Sequence, residues 1–147
     1  MNKIQIKPIG FVERKSENEN DKDRSLISKI IINKSLTRAL DGINDFSHIY
    51  IIFWMDRVKS TNFLHFPSKS QESEPIGIFA TRAPIHPNPI GLTLVELISR
   101  EGNIIWVRGL DAHDKTPVLD IKPYPDWEGG RCIIVDDYSV PKWLKKN

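Results

Sequence analysis

The apolar positions of this chain fall in short runs rich in β-branched and aromatic residues, and polar turns punctuate them. The runs are Ile4–Val12, Ser28–Asn33, His48–Met55, Ile76–Ala80, Leu92–Ile98, Ile104–Arg108 and Val118–Ile121. Between them stand turn formers such as Asp41-Gly42, Asn44-Asp45, Glu101-Gly102-Asn103 and Asp114-Lys115-Thr116-Pro117. Short strands spaced by turn residues predict a mainly β fold, a barrel or a sandwich. Helical signals are few and short. Leu36–Leu40 is one candidate, with Ser35 placed to cap its start and Gly42 to stop it. A second short helix is expected around Pro141–Lys146.

Two stretches interrupt the pattern. Glu13–Ser25, reading ERKSENENDKDRS, is polar with no apolar periodicity, which predicts an exposed loop. Asn62–Pro75, with Pro67 and Pro75 among several Ser and Glu residues, predicts a second long loop. Long loops of this kind are either functional or merely mobile.

At 147 residues the chain can bury a core and is short for two independent units, so one domain over 1–147 is expected. With 39% hydrophobic and 27% charged residues, its composition excludes a disordered or membrane-embedded chain. The opening MNKIQIKPIG lacks the apolar stretch of a secretion signal, and no run reaches spanning length, so a cytoplasmic location is expected. Cys132 is the single cysteine; it can form no internal disulfide and reads as a small buried residue beside Ile133 and Ile134. His48, His65, His86 and His113 are scattered and make no ligand spacing with it, so no metal is expected. A formal net charge of +2 permits an RNA partner without demanding one.

The eight glycines build neither a G-x-G-x-x-G cradle nor a P-loop, and there is no G-x-S-x-G elbow. Candidate chemistry gathers in two segments. In Phe79–Leu92, FATRAPIHPNPIGL, Pro84, Pro87 and Pro89 fix φ and remove donors just after a β-like run. The result is a stiff, extended loop that holds Arg82, His86 and Asn88 with little entropy left to lose on binding a ligand. An equally open reading is a connector whose polar groups satisfy their own backbone. In Val107–Tyr124, VRGLDAHDKTPVLDIKPY, an extended Leu119–Tyr124 would place Asp120, Lys122 and Tyr124 on one face. An acid, an amine and a phenol would then stand in one row. The competing reading is a solvent-facing row on an edge strand, with a weak Asp-Lys pair.

Both segments resemble signatures of the TsaA-like, or TrmO, family of S-adenosylmethionine-dependent methyltransferases. Its best-known members are small dimeric β-barrels that N6-methylate threonylcarbamoyladenosine beside the anticodon of tRNA. FATRAPIHPNPIGLTLVEL is similar to the family's FATRSPFRPNPIG, and GLDAHDKTPVLDIKPY to its GLDLVDGTPVLDIKPY. IKPIGFVERK and DFSHIYIIFWM match as well, so the resemblance covers most of residues 4–126. It implies cofactor-contacting positions at Asp56, Arg57, Arg82 and Leu92 and along Arg108, Gly109, Leu110 and Asp111. It implies acceptor-side roles for Asp120, Lys122 and Tyr124, with Asn88 beside them. A homodimer with S-adenosylmethionine near the subunit interface, and a tRNA partner, are implied too. The chain departs from the family in carrying Asp56-Arg57 for His-Gln and Ile85-His86 for Phe-Arg. The family's early PRQPG segment has no counterpart within Ser16–Ser25, and the additional C-terminal domain of long members is not expected here.

The reaction so implied is in-line transfer of a methyl group from a sulfonium to a nitrogen, catalysed mostly by positioning. A nitrogen in a urea-like group is a weak nucleophile until its proton leaves. Asp120 is the candidate acceptor of that proton, with Lys122 and Tyr124 stabilising the developing negative charge. Two other readings stay open: a methyltransferase for another RNA or a small molecule, and a module that binds S-adenosylmethionine or RNA without turnover.

Overall fold

A computed structural model describes residues 3–14, 25–59, 64–65, 74–124 and 137–144. Its strands are β1 (Gly10–Glu13), β2 (Ile27–Ile32), β3 (His48–Trp54), β4 (Leu64–His65), β5 (Ile76–Gly77), β6 (Ile90–Glu101), β7 (Ile104–Arg108) and β8 (Pro117–Tyr124). Six of them close an antiparallel barrel in the order β1-β2-β7-β6-β3-β8, while β4 and β5 form a separate two-stranded ribbon. The mainly β expectation therefore resolves to a barrel. Closure comes from β1 meeting β8, with Gly10 opposite Val118 and Phe11 opposite Pro117.

Alternation along the strands fills the interior, interrupted by bulges in β8 between Val118 and Asp120 and in β6 between Leu97 and Ser99. Val12, Ile30, Ile32, Ile49, Ile51, Phe53, Val95, Ile105, Val107 and Val118 point inward from all six strands, and none is more than 4% exposed. Each fully buried aliphatic side chain of this kind contributes about 1.5–3 kcal/mol relative to leaving it in water. Leu110 and Ala112, on the segment between β7 and β8, complete the same cluster.

β6, at 12 residues the longest strand, pairs with β3 along its first half and with β7 along its second. The turn from β6 to β7 needs a left-handed backbone, which Gly102 supplies at φ 58°. Arg100 then fastens the barrel to the segment before β3. Its guanidinium donates to the carbonyls of Leu40 (2.7 Å), Thr37 (3.0 Å) and Gly102 (2.9 Å) and to the Asp41 carboxylate (3.0 Å).

Several boundaries differ from the sequence expectation, each for a local reason. Ile4–Val12 is extended only from Gly10, because Ile4 and Ile6 have no strand beside them and stay 84% and 53% exposed. Ile76–Ala80 leaves the strand after Gly77 and becomes a 3-10 turn over Ile78–Ala80, which leaves Phe79 81% exposed. Leu92–Ile98 is the middle of a strand that starts at Ile90, directly after the last proline of the loop. The expected helix at Leu36–Leu40 is a 3-10 segment over Lys34–Leu40; Asn33 stands at its start without a side-chain cap bond, and Ser35 lies inside it. Its end is Asp41, whose amide donates to the Arg38 carbonyl, ahead of Gly42 at φ 85°. A 3-10 turn at Lys142–Leu144 lies within the second expected helix. Glu13 belongs to β1, and most of the two long polar stretches, together with Cys132, Lys145 and Lys146, lies outside the described residues. No described helix is long and apolar enough to cross a membrane.

Candidate functional site

The proline-rich loop is held by bonds within itself. The Thr81 hydroxyl donates to the Ile78 carbonyl (2.9 Å) and accepts from the Ala83 amide (3.1 Å). His86 lies 3.2 Å from the Thr81 carbonyl through Nε2, its amide donates to the Pro84 carbonyl, and its ring tilts against Phe79 at 5.8 Å. The Met55 amide donates to the Pro89 carbonyl at 2.7 Å, which ties the end of the loop to the end of β3. Thr81 and His86 thus bond to the loop's own backbone, as the connector reading expects, while both also line the cavity beneath it. Arg82 differs, since its guanidinium makes no hydrogen bond or ion pair among the described residues.

Beneath this loop lies a cavity of about 550 Å³, within the usual range of small-molecule sites. Arg82, Pro84 and His86 line it from the loop, Ile90, Leu92 and Leu94 from β6, Phe53 and Met55 from β3, and Asp111 from the segment after β7. One cation and one carboxylate thus share a hollow whose other walls mix apolar side chains with Thr81, His86 and Thr93. Ile90, Leu92 and Leu94 reach it from the outward face at the start of β6, where they are 41%, 47% and 42% exposed; further along, that face carries Glu96, paired with Arg108. Gly91 faces inward between Ile90 and Leu92, opposite Phe53, and a Cβ there would sit 2.2 Å from the Phe53 ring.

The period of two puts Asp120, Lys122 and Tyr124 on one face of β8, and a bulge between Val118 and Asp120 turns that face outward, opposite Ile52 and Tyr50, while Val118 points into the core. Register links the row to the cavity. Asp120 is opposite Ile52, which is opposite Leu92; Lys122 is opposite Tyr50, which is opposite Leu94. Two strand spacings separate the row from the cavity wall, roughly 10 Å. The Lys122 ammonium lies 2.9 Å from Asp120 Oδ2, and the Tyr124 ring meets Tyr50 edge-on at 5.8 Å. β8 is a barrel strand paired with β3 along its length, but β1 meets it only at Pro117 and Val118. Among the described residues the stretch that carries the row therefore has a strand on one side alone, and its Asp120–Lys122 pair is exposed, features that the edge-strand reading shares. Pro123 falls beyond that second pairing, where its missing donor interrupts no recorded bond to β1.

Of the cofactor positions implied by resemblance, Arg82, Leu92 and Asp111 meet at the cavity. Asp56 and Arg57 occupy an exposed turn just past β3 and do not line it. Arg108 is engaged with Glu96 at 2.7 Å on the outer face. Gly109 makes a left-handed turn at φ 97°, and Leu110 is wholly buried in the barrel, so only their backbone is available to a ligand. Asn88 is exposed beside the loop end, where its carbonyl accepts from the Ile90 amide. Sequence reasoning passed over Thr93, an inward-facing residue that lines the cavity; the signal for it was a hydroxyl in the buried phase of IGLTLVEL. No group of three or more potential metal ligands occurs among the described residues.

Fold and site together define a small closed barrel with a cavity of small-molecule size between the proline-rich loop, the start of β6 and the end of β3, and a polar row two strands away. The chain belongs to the family described as the tRNA-methyltransferase O N-terminal domain, which it matches over residues 15–127. A probable S-adenosyl-L-methionine-binding protein of Methanothermobacter thermautotrophicus is 40% identical over 126 residues, covering 82% of this chain and 90% of the relative. A tRNA (adenine(37)-N6)-methyltransferase of Mus musculus is 40% identical over 110 residues, which is 72% of this chain but 22% of that enzyme. A crystal structure of TrmO superposes with a TM-score of 0.71 at 26% identity, covering 94% of this chain and 64% of its own. The chain thus spans less than two thirds of that solved structure and about a fifth of the mouse enzyme.

Proposed function

We propose that this chain, read as one TsaA-like domain over 1–147, is an S-adenosylmethionine-dependent methyltransferase that N6-methylates threonylcarbamoyladenosine next to the anticodon of tRNA. The observation that carries the reading is the meeting of Arg82, Leu92 and Asp111 at one cavity, two strand spacings from the Asp120–Lys122–Tyr124 row. The donor set suits the cofactor. Arg82 offers a planar fork to a carboxylate, Asp111 accepts from ammonium or hydroxyl groups, and Leu92, Phe53 and Met55 supply apolar contact.

When bound, S-adenosylmethionine supplies a methyl group on a sulfonium, an electrophile for in-line displacement by nitrogen. The chain's own residues position and deprotonate the acceptor. Asp120 takes the proton from the nitrogen as the new bond to carbon forms. Lys122 and Tyr124 donate toward the neighbouring carbonyl oxygen as negative charge gathers on it.

A homodimer in the cytoplasm completes the proposal. The apolar outward stripe at the start of β6 supports the dimer, since Leu92 and Leu94 both line the cavity and stand exposed, so a second subunit covering the stripe would also close the site. Light scattering at micromolar concentration tests it, and a strict monomer that binds cofactor tightly would oppose it. A second reading, cofactor binding without turnover, is favoured by the archaeal relative described only as binding S-adenosylmethionine. Incubating the protein with methyl-labelled cofactor and total RNA from a strain lacking the enzyme separates the two. Label in tRNA supports the transferase; tight cofactor binding with no label in any RNA supports the binding module.

A further inference from the structure

The inward face of β6 begins Gly91, Thr93, Val95, and the hydroxyl of Thr93 is its one polar group. Thr93 is only 8% exposed. A buried hydroxyl without a partner is destabilising, and valine would fill the same space without that cost. Here the hydroxyl has a partner. Thr93 Oγ1 donates a short hydrogen bond to Oδ1 of Asp111, and both residues line the cavity.

Asp111 is fixed from its backbone as well. Leu110 before it and Ala112 after it are 0% and 2% exposed, anchored in the barrel core, so the chain between them can only turn the Asp111 side chain outward. With one carboxylate oxygen held by Thr93, the rotamer of Asp111 is set before any ligand arrives. The second oxygen is left to face a donor. Arg82, the other charged group at the cavity, has no such restraint among the described residues.

We infer that Thr93 is a positioning residue for cofactor binding: through its hydroxyl it pre-sets the Asp111 carboxylate to accept from an ammonium or hydroxyl donor of the cofactor. The inference rests on the proposed cofactor reading and deepens it. Such donors are present in S-adenosylmethionine and in its demethylated product alike, so Thr93 governs affinity for both and leaves the chemical step untouched. Immobilising one free side chain on binding costs about 0.5–1.5 kcal/mol, which corresponds to a dissociation constant about three- to tenfold higher when the restraint is removed.

The test is a calorimetric double-mutant cycle on the full chain. Thr93→Val should raise the dissociation constants of S-adenosylmethionine and S-adenosylhomocysteine by the same factor, about three- to tenfold, without lowering the thermal midpoint of the unliganded protein. Thr93→Ser should restore parental affinity. In an Asp111→Asn background, Thr93→Val should have almost no further effect, a coupling that a merely structural threonine would not show. In turnover, Thr93→Val should raise KM for the cofactor at unchanged kcat. Parental affinity in Thr93→Val, or an undiminished loss in the Asp111→Asn background, overturns the inference while leaving the cofactor reading intact. A parental chain that binds neither compound removes both.

Discussion

Adding one methyl group at Gly91 should damage fold and cofactor site together. A Cβ built there lies 2.2 Å from Cε2 and 2.3 Å from Cζ of Phe53, its register partner on β3. Carbon atoms rest about 3.5–4.0 Å apart, so the ring must retreat by more than about 1 Å. Phe53 is 4% exposed and packed among Ile51, Val95 and the rest of the core, which leaves the cavity it lines as the open direction. Overpacking of this kind costs about 1–3 kcal/mol, a fall of roughly 3–9 °C in thermal midpoint for a chain of this size. Because the ring moves into the cavity proposed to hold the cofactor, calorimetry should also show weaker binding of S-adenosylmethionine. Combining Gly91→Ala with Phe53→Leu should recover part of both losses, since the smaller side chain makes room for the new methyl. If Gly91→Ala melts and binds like the parent, the ring relocates without cost and the close-packed wall described here is wrong.

Arg82→Ala should weaken cofactor binding about ten- to hundredfold, the worth of a hydrogen bond to a charged group, with an unchanged midpoint because the guanidinium has no partner among the described residues; a collapse of the midpoint would make Arg82 structural. Lys122→Ala and Tyr124→Phe should each lower methyl transfer, the former by about 10²–10³, with cofactor affinity intact. Parental rates in both would place the active face elsewhere. Arg100→Ala should lower stability in a denaturant titration by about 2–3 kcal/mol, since the side chain is 14% exposed and holds three carbonyls and the Asp41 carboxylate. Its activity per folded molecule should stay parental, and a loss of activity without a stability change would contradict the structural role.

The strands were legible where the buried phase was unambiguous. Ile49, Ile51 and Phe53 sit in HIYIIFW, and the Asp120, Lys122 and Tyr124 row follows directly from the period of two. The residue pattern alone left barrel and sandwich open because closure rests on Gly10 meeting Val118, a pairing of distant residues that no local pattern encodes; the barrel came from the resemblance of the two motifs to the family, and the structure bears it out. The 3-10 form of Lys34–Leu40 accompanies the Arg100 clasp, some 60 residues away along the chain. β6 was harder still, since Leu92 and Leu94 are apolar yet face outward, and a strand apolar on both sides does not announce which face is covered. Asp111 was legible as part of a motif, but its tie to Thr93 crosses from one strand to the segment after another and needed the fold to be seen.

The central claim is methyl transfer to the modified adenosine beside the anticodon, and nucleoside mass analysis tests it most directly. Purified chain is incubated with S-adenosylmethionine and tRNA from a strain lacking the enzyme, and the tRNA is then digested to nucleosides. The account predicts that the threonylcarbamoyladenosine peak shifts to a species one methyl heavier, with the added carbon on N6, and that Asp120→Asn slows the shift. A methyl group appearing on any other nucleoside, or an unshifted peak from protein that demonstrably binds the cofactor, would contradict it.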